Sequence, residues 1–165
     1  MAKTKFAPRG MRNNNPLNIR RGKTPWVGEV QYIERIATDK SGNECKTREY
    51  DRSFCQFSEL KYGWRAAFYI LRKYIEKYKC NTIEKIINRW APPSENNTVN
   101  YIALVCRYAG LDKNAVIDFS DYHAMRGIAE GMSVAENGVE YLVTNKGEWM
   151  MACWAGYHMA ATCNM

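Results

Sequence analysis

The carboxylate of Glu136 closes an otherwise apolar stripe, and that position makes it the chain's first candidate for acid chemistry. Residues 120–138, SDYHAMRGIAEGMSVAENG, read as a helix in which Tyr122, Met125, Ala129 and Met132 step by three and four along one face. The next step on that face is Glu136, just before Asn137 and Gly138, a natural helix stop. A carboxylate at the end of such a stripe is partly stripped of water. Desolvation disfavours the charged form, and a general acid must be a protonated carboxyl before it can deliver its proton. The bland reading is a cap on a surface turn. The opposite face carries Ala124, Gly127, Gly131 and Ala135. Those residues let another backbone approach closely, which predicts a central helix.

Polar groups that suit a sugar cluster early in the chain. Residues 10–22, GMRNNNPLNIRRG, are dense in Asn, Arg and Gly around one Pro. Asn side chains bond nearby backbone and tolerate unusual dihedrals, so an ordered loop rather than a helix is expected. Asn13, Asn14, Asn15 and Asn18 supply amide donors and acceptors that suit hydroxyl and acetamido groups. Arg12 and Arg20 suit carboxylates through bidentate pairing. Loop scaffolding is the equal alternative for all six. Trp26, Tyr32 and Tyr101 are candidates for stacking on sugar rings, with a core role as the alternative, whereas Trp64 and Trp90 read as core.

Other chemistries find less support. His123 and His158 are lone histidines on helices and read as packed or surface residues. No Ser-His-Asp arrangement, phosphate loop, Rossmann or Walker pattern stands out. The six cysteines at 45, 55, 80, 106, 153 and 163 make no CxxC pair. Without zinc-site spacing, no metal and no cofactor are expected. Cys80, Cys106 and Cys153 sit among apolar residues and read as buried thiols.

The elements that must position these groups follow from pattern. Strands around residues 31–38 and 49–57 form a hairpin across the turn at 39–43. Ser58 caps a long helix with the stripe Trp64, Ala67, Phe68, Leu71, Ile75 and Tyr78. Asn81 with Glu84 resembles a capping box that opens residues 82–90, and Pro92-Pro93 ends them. Asn97-Thr98 opens the next helix, which Gly110 stops. Asn145 with Glu148 opens the last helix. Residues 149–165 lack Lys, Arg, Asp and Glu and read as a buried C-terminal helix, too short for a membrane span. The fold class expected is α+β, mainly α: a small β-hairpin among about five helices. Residues 1–9 read as a flexible basic arm and residues 10–165 as a single domain.

The net charge is +7, and it is uneven. Residues 1–58 carry 12 basic and 6 acidic side chains, residues 59–110 carry 9 and 4, and residues 111–165 carry 3 and 7. Such a surface favours polyanionic partners: nucleic acid, a membrane surface or an acidic cell-wall polymer. Nucleic-acid binding rests on charge alone, since the basic residues are scattered and no nucleic-acid motif is present. The N-terminus, MAKTKFAPRG, has no apolar core of a secretory signal.

The motifs together resemble a phage-borne, lysozyme-like family. Its opening pattern, Gly-Ile-Arg-Asn-Asn-Asn-Pro-Gly-Asn-Ile-Arg, is similar to residues 9–20, RGMRNNNPLNIR, and Trp26-Val27-Gly28 supplies the Trp-x-Gly that follows. Phe54, Phe57 and Gly63-Trp64-Arg65-Ala66 continue the pattern. Residues 82–96, TIEKIINRWAPPSEN, match its long run closely, Thr98 and Tyr101 extend it, and Glu136-Asn137-Gly138 matches a terminal Glu-Asn-Gly. Leu17 stands where the family has Gly, a departure that bears on the loop backbone. The tail after Gly138 does not align. The motifs also resemble an autolysin-type glucosaminidase in a different order, which implies a circularly permuted lysozyme-like fold.

The resemblance implies peptidoglycan glycan-strand cleavage as a muramidase, glucosaminidase or lytic transglycosylase, with Glu136 as general acid. Glu29, Glu34, Glu49 and Asp51 are the hairpin candidates for a second carboxylate, which an ordinary hydrolase holds within roughly 5–9.5 Å of the acid. The implied partners are bacterial peptidoglycan and other virion proteins. The implied location is the virion, or the host cytoplasm before release to the wall. The alternative is a non-catalytic virion or wall-binding protein that retains the fold.

Overall fold

A computed structural model describes residues 7–139 and 146–164. The chain runs α1 (Arg9–Arg12), β1 (Glu29–Val30), β2 (Ile33–Thr38), β3 (Glu44–Glu49), β4 (Gln56–Phe57), α2 (Leu60–Glu76), α3 (Ile83–Trp90), α4 (Thr98–Ala109), α5 (Tyr122–Asn137) and α6 (Lys146–Thr162). The architecture is α+β and mainly helical, as the patterning predicts.

Two helix pairs build the body. In the first, α2 lies along α6. Gly156 of α6 sits directly on the backbone of Trp64 and Arg65, where any Cβ would collide. That close approach lets Trp64 meet Trp149 edge-on at 4.9 Å, and both rings are fully buried. At the far end Arg72 donates to the carbonyls of Ala160, Ala161 and Cys163. The last turn of α6 thereby receives a cation where its orphan carbonyls gather. In the second pair, α5 lies along α4. A Cβ on Gly127 or Gly131 would come within 2.7–2.8 Å of the α carbons of Ala109 and Val105. The small-residue face of α5 therefore packs on a backbone at Gly127 and Gly131, as predicted, whereas Ala135 at its end is exposed. Its other face buries Met125, Ala129 and Met132 in the core.

The β region is thin. β2 and β3 pair antiparallel from Ile33↔Glu49 to Thr38↔Glu44, and β1 pairs with β4. Neither β2 nor β3 buries a face, so this ribbon is anchored by charge. Arg35 and Arg12 both donate to the Glu49 carboxylate, at 2.7 and 3.1 Å, and Arg35 also donates to the Arg12 carbonyl.

Several expectations need correction. The second hairpin strand is β3, not 49–57. Asp39 accepts from the amides of Ser41 and Asn43, and Gly42 takes φ +85°, so the chain returns at once. Glu59, not Ser58, precedes α2, and neither caps it through a side chain. Thr82, not Asn81, caps α3, accepting from the Lys85 amide. The Asn97 cap of α4 and its left-handed Gly110 stop are as predicted. Arg9 belongs to α1 rather than to a loose arm, and residues 1–6 lie outside the described residues, as does Asn145. Cys153 is buried, but Cys80 and Cys106 are half-buried, and all six cysteines are free. α6 is buried on one face only, with Met151 and Trp154 exposed on the other. No described helix is long and apolar enough to cross a membrane.

Candidate functional site

The Asn-rich loop of residues 13–18 and the C-terminal end of α5 meet. Asn14 and Asn18 both take φ +51°. Asn tolerates this left-handed region better than most residues. Leu17, despite standing where the resembling family has Gly, is not at a positive φ, and its side chain is fully buried in the core. The turn is closed by backbone bonds such as Asn15 N to Gly10 O at 2.7 Å. Gly10 has no room for a Cβ, because the side-chain oxygens of Asn137 and Asn18 lie against it. Asn137 then clasps the loop by donating to the Pro16 carbonyl at 2.8 Å.

Glu136, the residue before that clasp, is half-buried and surrounded by neutral donors. Its Oε1 accepts from the Tyr101 hydroxyl at 3.1 Å and from the Trp90 indole N–H at 3.4 Å. Its Oε2 accepts from the Asn18 amide at 3.2 Å, across 118 residues of sequence. Among the described residues no lysine or arginine forms an ion pair with it. Burial, with the Glu136 charge adding to it, pushes the Tyr101 phenol well above its ordinary range. Tyr101 therefore stays protonated and donates. Trp90 arrives from α3 and Tyr101 from α4, so four segments converge on one carboxylate.

Glu136 opens on a cleft of about 440 Å³. One wall is the loop run Leu17, Asn18, Ile19 and Arg20 with Phe54, and the other is Ile70, Tyr74, Trp90 and the Ala91–Asn96 turn. Arg20 is exposed at the rim, its guanidinium over the Phe54 ring at 5.1 Å.

The other predicted residues are placed apart from this cleft. Asn13 and Asn15 are fully buried. Asn13 donates to Asp51 at 2.9 Å and accepts from Gln56, while Asn15 donates to the carbonyls of Ile19 and Cys55. Asn14 donates to the Phe57 carbonyl. Arg12 is held by Glu49 and the Ala7 carbonyl. Trp26 packs edge-on against Tyr69, and Tyr32 lies under Arg48 on the hairpin. Of the nine candidate glycan-binding groups, Asn18 and Tyr101 touch Glu136 and Arg20 shares its cleft. Trp90 was expected in the core alongside Trp64. Trp64 is fully buried, but Trp90 is half-buried and faces the carboxylate. Its indole nitrogen as the end of an amphipathic helix stripe carried no separable sequence signal.

The four hairpin carboxylates are all paired with arginine and none lines the cleft. Glu29 binds Arg21 at 2.8 Å, Glu34 lies 3.8 Å from Arg48, and Glu49 holds Arg12 and Arg35. Asp51 is the most enclosed of the four. Burial opposes its charge, but Arg9 at 2.6 and 2.7 Å, the amides of Ser53 and Phe54 and Asn13 outweigh it. Together they hold its carboxyl well below the ordinary range. The second carboxylate in the cleft is Glu95, which lies not on a strand but in the turn between α3 and α4. Among the described residues no three His, Cys, Asp or Glu side chains converge as a metal site.

No family model matches the chain. It is 36% identical over 147 residues to Protein P5 of Pseudoalteromonas phage PM2, an alignment spanning 87% of this chain and 82% of that protein.

Proposed function

We propose that this chain, which belongs to the same family as the phage PM2 Protein P5, cleaves the glycan strand of peptidoglycan with Glu136 as the general acid. The observation that carries the reading is the Glu136 carboxylate itself: half-buried, free of ion pairing among the described residues, and facing a cleft of about 440 Å³ lined by amides and aromatic rings. The lysozyme-like resemblance of residues 9–138 supports it. So does the meeting of the early Asn loop with the late Glu-Asn-Gly, which a permuted order of those motifs requires.

The chemistry follows from the donor set. Cleavage needs a proton on the glycosidic oxygen as the C1–O bond breaks and an oxocarbenium-like centre develops. Once the proton leaves, the acid becomes an anion. Hydrogen bonds to the charged form favour it, and Tyr101, Trp90 and Asn18 are already aimed at those oxygens. Preorganised donors of this kind lower the barrier because they need no reorganisation during the step. Oε1 receives two donors and Oε2 one, so Oε2 keeps more free capacity for the proton in transit. Phe54 and Trp90 offer faces or edges for a sugar ring, and Arg20 offers a cation for a stem-peptide carboxylate.

The test is release of soluble muropeptides from purified sacculi by the wild type and by Glu136→Gln. Release by the first and not by the second supports the reading. Sacculi that bind the wild type but stay intact identify it as a wall-binding virion protein instead. A salt-sensitive shift of duplex DNA without any effect on sacculi would favour nucleic-acid binding.

A further inference from the structure

Glu95 lines the same cleft as Glu136, yet nothing in the reaction described so far uses it. It sits in the turn that joins α3 to α4, at the end of Ala91-Pro92-Pro93-Ser94. The turn is not loose. Two prolines restrict its backbone. The Glu95 amide donates to the Pro92 carbonyl at 3.1 Å, and the buried Thr98 hydroxyl donates to the Ala91 carbonyl at 2.6 Å. The side chain is exposed, and among the described residues its carboxylate has no hydrogen-bond or ion-pair partner. The contrast with Glu29, Glu34, Glu49 and Asp51 is direct: each of those has an arginine and lies away from the cleft.

We infer that Glu95 is the general base of a hydrolytic reaction in this cleft, an assignment that rests on the proposed glycan cleavage. A water between Glu95 and the sugar loses a proton to the Glu95 carboxylate as its oxygen bonds to C1. The C1–O bond to the leaving sugar breaks, and its oxygen takes the proton of Glu136. Both carboxyl groups return to their starting states by exchange with solvent, so one water is consumed and no other co-reactant is needed. Attack from the face opposite the leaving group inverts C1. The products are reducing sugars, not the anhydro sugars formed when the substrate's own hydroxyl attacks.

The experiment digests sacculi with wild type, Glu136→Gln and Glu95→Gln in water enriched in oxygen-18, and analyses the muropeptides by mass spectrometry and NMR. The expected result is labelled reducing ends of inverted configuration. Glu95→Gln should lower kcat by about 10²-fold with KM within about threefold, the scale of a lost general base. Because Glu95 is exposed, its thermal midpoint should match the wild type. Glu95→Ala should regain turnover in azide, which attacks C1 without a base. Anhydro products, retained configuration or an unimpaired Glu95→Gln would overturn the assignment while leaving glycan cleavage standing. A wild type that releases nothing overturns both.

Discussion

Asp51 and Glu136 are two carboxylates served by one loop, and the loop treats them oppositely. Asn13 donates to Asp51 and Asn18 to Glu136. Asp51 also receives the two-pronged Arg9 and two backbone amides, and is 8% exposed. Glu136 receives only neutral donors and opens on a cleft. A charge matched by a cation and enclosed is fixed in one state and serves as a structural knot. A charge held by neutral donors at a cleft is positioned without a matching cation. The two carboxylates differ in donor type as well as in donor number, and the proposed function assigns the chemical role to Glu136.

The sharpest way to break this comparison is a paired substitution. Glu136→Gln should cost about 10³-fold in glycan cleavage, the scale of a lost general acid, while leaving the folded state close to wild type. Asp51→Asn should do the reverse. It should lower unfolding free energy by on the order of 3 kcal/mol, because Arg9 and the amides lose their charged partner. Urea denaturation and muropeptide release measure the two axes. Comparable losses on both axes for either variant would collapse the distinction.

The Asp51 knot also predicts a pH signature. Its folded pKa lies below the ordinary value, so the unfolded chain binds more protons between the two. Stability from this group is therefore fully present above about pH 4 and is lost as pH falls towards the depressed folded value. Denaturation midpoints compared at about pH 6 and about pH 3 should fall more steeply in the wild type than in Asp51→Asn. Equal slopes would mean that Asp51 is not the charge that matters.

Within the loop, Asn13→Ala should cost about 1–3 kcal/mol of stability, since it leaves Asp51 and Gln56 short of a buried partner. Asn18→Gly keeps the left-handed backbone and removes only the amide, so it should act on turnover more than on stability. The smallest effect expected is Tyr101→Phe. Loss of one hydrogen bond to Glu136, worth about 1 kcal/mol, should slow cleavage roughly fivefold at unchanged KM. Steady-state kinetics on soluble glycan fragments would resolve it. A larger loss than that of Glu136→Gln would move the acid role away from Glu136.

Legibility from sequence followed the range of the interactions. The apolar stripe and small face of α5, the Asn97 cap and the Gly110 stop are local, and each stands where pattern put it. The second hairpin strand was misplaced because the tight Asp39–Asn43 turn shortens the return, and the exposed β3 has no apolar alternation to announce it. Helical periodicity cannot tell a ring that fills the core from one that borders a cleft, and so puts Trp90 with Trp64 in the core. Asn13 and Asn18 are the same residue type in the same loop, and only their distant partners separate their roles.

What the sequence determined by itself was the five longer helices, though not the short α1 at Arg9–Arg12 where an ordered loop is expected, the mainly helical α+β class and the position of Glu136 at the end of a stripe, since these depend on neighbours a few residues away. The tertiary structure alone decided which carboxylates are paired with arginine, which Asn reaches Glu136 and that Glu95 shares its cleft. Those outcomes depend on segments as far apart as Asn18 and Glu136, 118 residues. Close packing against a neighbouring helix's backbone at Gly131 and Gly156, rather than any local preference, sets the geometry there.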